Sequence, residues 1–293
     1  MTMTMTSLPE RVGRRCQDAL NSLHSTVYFA PDLEVQLADH SIDDPMAVYL
    51  AGRSAALGPV GSGVVTAAFY GFKHELIARH IPRVWAQVSP GAVLEMRLRA
   101  ADATLRRHLG EAVTGPEMAE AAELALRAAR AGDRAGRPLY SAHADQPVPE
   151  EPHLVLWYAA TLLREHRGDC HIAALQNAEL GGLDALVSHS ASSSGMPKEI
   201  VMSKRGWTEE DWAGAQDRLR ARGLMDAEGH LTTAGVELRE DIEAETDRLD
   251  RAPYETLGLA DVTRLTELVG AFAATAAATG AFPAELLQIF ARR

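Results

Sequence analysis

The most constraining stretch of this chain runs from Thr208 to Leu249, where three local signals follow one another in a fixed order. Thr208, with Asp211 three residues on, has the form of a helix-capping pair, in which the threonine hydroxyl accepts a backbone N–H of the first turn. Trp212, Ala215 and Leu219 then recur at helical spacing, so one face of that helix is apolar. Arg222-Gly223 ends it. Leu224-Met225 begins an extended piece, Asp226-Ala227-Glu228-Gly229 makes a tight turn, and His230-Leu231 returns. Thr232 or Thr233 opens a long helix that reaches Leu249.

The rest of the chain reads as helical. Arg11 to Phe29 is a first long candidate, with Val12, Cys16, Leu20, Leu23 and Val27 in phase. Shorter pieces follow at Pro45–Ala56, Ser62–Tyr70 and Lys73–Gln87. Pro90–Leu109 and Pro116–Ala131 are firmer, each with a proline where the missing N–H costs least. Gly132 to Pro152, rich in glycine and proline, is the best internal boundary. Beyond it the spacing predicts helices at His153–Glu165, Cys170–Ala178 and Leu183–Ser190, a flexible connector at Ser190–Gly206, and a last helix at Asp261–Ala278. The expected fold class is mainly α: a helical N-terminal domain (1–135), a linker (136–152) and a C-terminal domain (153–293) with a short β-hairpin.

The opening residues MTMTMTSLPERVGRRC have no apolar run, so no secretory leader is expected. Leu268–Ala284 is rich in Ala, Gly and Thr and reads as a buried helix rather than a membrane span. Two cysteines far apart, Cys16 and Cys170, fit free thiols in a reducing cytoplasm. The net charge of −11 is uneven, with −2 in residues 1–150 and −9 in residues 151–293. An acidic half disfavours a phosphate backbone as partner.

Helix, hairpin, long helix is the order of a winged helix. The segment RLRARGLMDAEGHLTTAGVEL resembles the wing region of MarR-type regulators, through Arg222-Gly223-Leu224 and Leu231-Thr232-Thr233-Ala234-Gly235. The whole chain is also similar to a poorly described actinobacterial family labelled helix-turn-helix, through Ser25–Pro31, Ala51–Gly61, Phe69–Phe72 and Arg164–His171. The MarR resemblance implies DNA contact from Lys204, Arg205, Arg218, Arg220 and Arg222, and a homodimer through the last helices. Two departures oppose the DNA contact. The hairpin turn has no arginine, and the reading helix opens with Glu209-Glu210-Asp211, which phosphates repel. A loose echo of Ala51-Gly52-Arg53 with LGPVG in Arg167-Gly168-Asp169 with Gly181-Gly182-Leu183 suggests a degenerate second winged helix in the N-terminal domain.

The stretch LLREHRGDCHIAAL, Leu162 to Leu175, concentrates charge and imidazole between two apolar helical patterns. As a plain corner, Gly168 would cap one helix in a left-handed conformation and Asp169 would open the next. As a site, Arg164 and Arg167 supply forked donors for an anion. His166, Asp169 and His171 are the nearest thing to a metal set, but their spacing matches no established signature, and no metal is assigned. His24 and Tyr28 share a helix face, and Arg53 and Tyr70 flank glycine-rich and aromatic stretches. The candidate ligand-binding residues are therefore His24, Tyr28, Arg53, Tyr70, Arg164, His166, Arg167 and His171. No nucleophile elbow is present, and the residues name neither a catalytic group nor a cofactor.

Two functions follow as expectations. The first is a small-molecule-binding, MarR-like transcriptional regulator with weak or atypical DNA contacts. The second is an enzyme or ligand carrier on a winged-helix scaffold, with a pocket between the two halves.

Overall fold

A computed structural model of the chain describes residues 8–193 and 195–283. The first seven residues of the opening segment, Ser194 of the expected connector, and Ala284 lie outside the described residues. The helices are α1 (Val12–Ser25), α2 (Asp32–Ala38), α3 (Pro45–Ser54), α4 (Ser62–Phe69), α5 (His74–His80), α6 (Pro90–Leu109), α7 (Pro116–Arg130), α8 (Pro138–Ala144), α9 (Pro152–Asn177), α10 (Gly182–Ser190), α11 (Lys198–Arg205), α12 (Glu209–Ala221), α13 (Thr233–Leu249) and α14 (Ala252–Ala278). Proline opens α3, α6, α7 and α8, where its missing N–H is no loss. Asp44 and Ser89 cap α3 and α6 through their side chains. Among the described residues no helix is long and apolar enough to cross a membrane.

Two compact units divide the chain, and neither is continuous in sequence. Unit 1 takes Met1–Pro59, Val84–Asp169 and Leu249–Arg293; unit 2 takes Val60–Arg83 and Cys170–Arg248. This differs from two contiguous domains joined at 136–152, and that segment carries α8 instead of a free linker. In unit 1, α14 packs on α1 and α7. Leu20, Leu23, Leu105, Met118, Leu163 and Val269 form the centre of its core. In unit 2, Leu175, Val187, Val201, Trp212, Leu219 and Ile242 form a second core.

Three expectations need correction. First, α9 is one helix, not a corner. Gly168 lies inside it without positive φ, at a helical cost of only about 1 kcal/mol. Asp169 caps a different helix, since its carboxylate accepts the Tyr140 N–H of α8 at 3.0 Å. Second, Lys198–Arg205 of the stretch expected as a connector folds into α11, which buries Val201. With the left-handed Gly206 and α12 it completes a helix-turn-helix.

Third, the β-wing is absent. Among the described residues there is no sheet, only an isolated antiparallel bridge between Met225 and Leu231. The arms are too short to continue. Thr232 N–H donates to Leu224 O (3.2 Å), and the Thr232 hydroxyl donates to Gly223 O (2.6 Å) and accepts the Gly235 N–H (3.2 Å), which starts α13 at once. A Cβ on Gly235 would stand 2.1 Å from Leu224 O, so the last glycine of the LTxxG signature is a packing requirement. Among the described residues of 1–135 no bridge or strand forms.

Candidate functional site

Charged side chains enter the core of unit 1 along one face of α9, where Trp157, Thr161, Arg164 and Glu165 recur at helical spacing. Glu165 is fully buried and sits between two guanidiniums. It accepts from Arg53 Nη2 of α3 at 3.1 Å and pairs with its neighbour Arg164. Burial pushes the Glu165 carboxyl up, but the charges of Arg164 and Arg53 more than reverse this and hold it well below the usual carboxylate range. Burial likewise disfavours charge on Arg53, and Glu165 outweighs it.

A histidine from α1 joins this triad. His24 Nε2 lies 3.0 Å from Thr161 Oγ1, whose own proton goes to the Trp157 carbonyl. The imidazole must therefore donate there, which leaves Nδ1 as a buried acceptor with no partner. Burial, and then the charge of Arg164, keep His24 far below its ordinary pKa, hence neutral. Its ring stacks on Trp157 (5.2 Å between centroids) and meets Tyr28 edge-on at 5.6 Å. The Tyr28 hydroxyl is also buried without a partner, and Arg164 lies over the Tyr28 ring at 5.8 Å. Four of the sequence candidates, His24, Tyr28, Arg53 and Arg164, thus converge.

Three further residues of this cluster escaped sequence reasoning. Arg97 of α6 is 3% exposed, and its guanidinium lies 4.8 Å from the centre of the Trp157 ring. His143 of α8 is equally buried, and burial followed by the Arg97 charge push its pKa down to about 3. Glu165 itself is the third. The signal for Arg97 was present: with Val93, Met96, Ala100 and Thr104 it occupies the buried stripe of α6, so it is a charged residue in an apolar phase.

The other candidates lie elsewhere. His166 points from another face of α9 to Asp250, with Nδ1 2.5 Å from Oδ1, and Arg167 approaches the same carboxylate at 3.8 Å. His171 is in unit 2, with Nδ1 2.9 Å from Thr246 Oγ1. The Tyr70 hydroxyl, also in unit 2, donates to Leu180 O at 2.6 Å. His166, Asp169 and His171, the candidate metal set, each have a different partner and do not converge. Cys16 and Cys170 are buried and are not joined in a disulfide.

In unit 2 the helix-turn-helix comprises α11, Gly206 and α12. The expected capping box forms: Asp211 N–H donates to Thr208 Oγ1 (3.2 Å), and Thr208 N–H donates to Asp211 Oδ2 (2.9 Å). The Phe69–Phe72 stretch and the lysine after it pack on this head. Trp207 Nε1 donates to Gly71 O (2.9 Å), and Lys73 Nζ donates to Asp211 (2.5 Å). The Lys73 bond, then those from Thr208, pull Asp211 down to about 2.

Most cations expected to reach DNA are committed within the unit. Arg218 is bidentate to Asp184, with Nη2 at 2.6 Å and Nε at 3.2 Å. Arg220 donates to Asp226 O and to Asp217, and Arg222 donates to Glu179 O and Ala178 O, capping the end of α9. The Arg205 guanidinium stacks on Phe72 at 4.0 Å, and Lys198 pairs with Glu209 at 2.5 Å. Lys204 is exposed at the end of α11.

No curated protein and no solved structure matches the chain. The resemblance to MarR-type regulators therefore narrows to the broader helix-turn-helix class, with which the order of α11, a turn at the left-handed Gly206 and α12 agrees. A model of a helix-turn-helix family matches residues 13–283, and the chain belongs to that family.

Proposed function

We propose that this protein is a ligand-responsive helix-turn-helix regulator: unit 1 holds a small molecule, and unit 2 presents a head whose hold on DNA is weak or atypical. The observation that carries the ligand half is the set of unpartnered polar atoms around the buried Arg53–Glu165–Arg164 triad, namely His24 Nδ1 and the Tyr28 hydroxyl. Buried polar groups without partners are rare, and a bound molecule would satisfy them. Family membership and the α11–α12 geometry support the regulator half.

A second reading, an enzyme or ligand carrier that keeps the helix-turn-helix as scaffold, draws on the committed cations of unit 2. Arg218, Arg220 and Arg222 would have to leave intramolecular partners to reach phosphates. Two experiments separate these readings. Native mass spectrometry of the purified protein is expected to show a retained small molecule that Arg53→Met releases; a mass equal to the bare chain, unchanged after incubation with cell extract, overturns ligand binding. A gel shift on the DNA upstream of its own gene is expected to show salt-sensitive binding that Lys204→Glu abolishes. No retardation at low salt removes the regulator and leaves the carrier or enzyme.

A further inference from the structure

Arg97 is the one member of the unit 1 cluster whose charge meets no carboxylate among the described residues. Arg53 and Arg164 share Glu165, whereas Arg97 has only the Trp157 face, and its Nη2 is buried without a hydrogen bond. With His24 and His143 neutral, the cluster holds three guanidiniums against one carboxylate. Such an excess of buried charge is costly unless an anion completes it.

The space for that anion adjoins Arg97. A cavity of about 270 Å³ is lined by Arg97, His143, Trp157, Tyr158, Leu94 and Leu98. His143, on the same wall, has a second buried unpartnered nitrogen, Nε2. The remaining wall mixes Gly91, Pro147 and Pro149 with Glu95, Gln146 and Thr161. The acidic groups nearby do not fill the gap. Glu95 also lines the cavity but is exposed and faces Arg99 at 3.9 Å. Glu34 is exposed, at a smaller cavity that Arg97 also lines.

We propose that this cavity seats a small carboxylic acid with an apolar body, its carboxylate on the Arg97 fork beside His143 and its body against Trp157, Leu94 and Leu98. The proposal rests on the reading that unit 1 holds a small molecule, and places its acid group at the Arg97–His143 end of the buried cluster. The volume lies just below the usual range for ligand pockets, so the guest is a short acid rather than a nucleotide. A guanidinium over an indole ring keeps N–H donors for a planar carboxylate, in a fork that a lysine could not match.

The test is calorimetric titration of the full chain with hexanoate, hexanamide and inorganic phosphate. Hexanoate is expected to bind at least about tenfold more tightly than hexanamide, the worth of a hydrogen bond to a charged group. Phosphate, which lacks an apolar body, is expected to bind more weakly than hexanoate. Arg97→Met should abolish hexanoate binding and, without ligand, melt no lower than the parent, because it removes an uncompensated charge. If Arg97→Met does not fold, Arg97→Lys supplies the same readout, with binding reduced at least about tenfold. Equal affinity for acid and amide, no binding of hexanoate at millimolar concentration, phosphate binding as tight as hexanoate, or undiminished binding by the Arg97 variant would each overturn this seat. A molecule retained in native mass spectrometry and indifferent to Arg97→Met would overturn the seat while leaving the ligand-binding reading intact.

Discussion

The two units handle charge differently. Unit 1 buries it: Glu165, Arg97, His143 and His24 are all at most 3% exposed. Unit 2 buries Asp184 and Arg239 but pairs most of its charge nearer the surface, as in Lys198–Glu209, Arg220–Asp217 and the half-buried Lys73–Asp211. Surface pairs contribute little and lose little when broken. Buried charges leave a large penalty when a partner is removed, and apolar residues of similar size can replace a whole buried network at no loss. Stability alone therefore gives unit 1 little reason to keep its charges, whereas the charges of unit 2 are what any folded helical surface carries.

The largest effect should come from splitting the unit 1 network. Glu165→Gln leaves Arg53 and Arg164 without their counter-charge and is expected to cost about 3–5 kcal/mol in urea unfolding. Replacing the triad together, Arg53→Met with Arg164→Met and Glu165→Leu, is expected to recover most of that loss. A triple variant as unstable as Glu165→Gln would break the comparison, because the charges would then be structural.

A pH titration of stability sharpens the contrast through its sign. Asp169 in unit 1 is pushed up to about 7 by burial, which outweighs the Tyr140 N–H. Its folded value lies above the unfolded value of about 3.9, so its contribution is complete below pH ~4 and is lost as the pH rises through 7. Asp211 in unit 2 is held near 2 by Lys73 and Thr208. Its folded value lies below the unfolded one, so its contribution is present above pH ~4 and is lost as the pH falls through 2. Asp169→Asn should flatten the upper window and Asp211→Asn the lower. Exchanged windows would refute the assignment.

Smaller effects belong to unit 2 alone. Thr208→Ala removes the cap of α12 and should cost about 1 kcal/mol. Lys198→Ala breaks an ion pair whose Glu209 side chain is 75% exposed, and should change stability by less than about 0.5 kcal/mol. A larger loss from Lys198→Ala would mean that unit 2 also depends on its charges.

Local signals were legible without coordinates. The Thr208–Asp211 cap, the Trp212–Ala215–Leu219 face, the Asp226–Gly229 turn and the proline starts of α6 and α7 each lie within a few residues, and dihedral preferences and short hydrogen bonds decide them. The break expected at Gly168 failed for the same reason that those succeeded. A glycine followed by an aspartate is a local stop signal, but Asp169 had a distant customer in α8, and the packing of α9 outweighed the small helical cost of glycine.

The sequence by itself therefore determined a mainly helical chain in which α12, a tight turn and α13 follow one another near the C-terminal end, because periodicity, capping and turn chemistry act over three or four residues; α11, which precedes them, came only with the packing of Val201. Only the tertiary structure decided that His24, Arg53, Arg97, His143 and Glu165 share one buried cluster, while His166 and Arg167 face Asp250. Arg53 meets Glu165 across 112 residues and His24 meets Thr161 across 137. Contacts at that range depend on which apolar faces pack together, and that choice is made by the whole core rather than by any one segment.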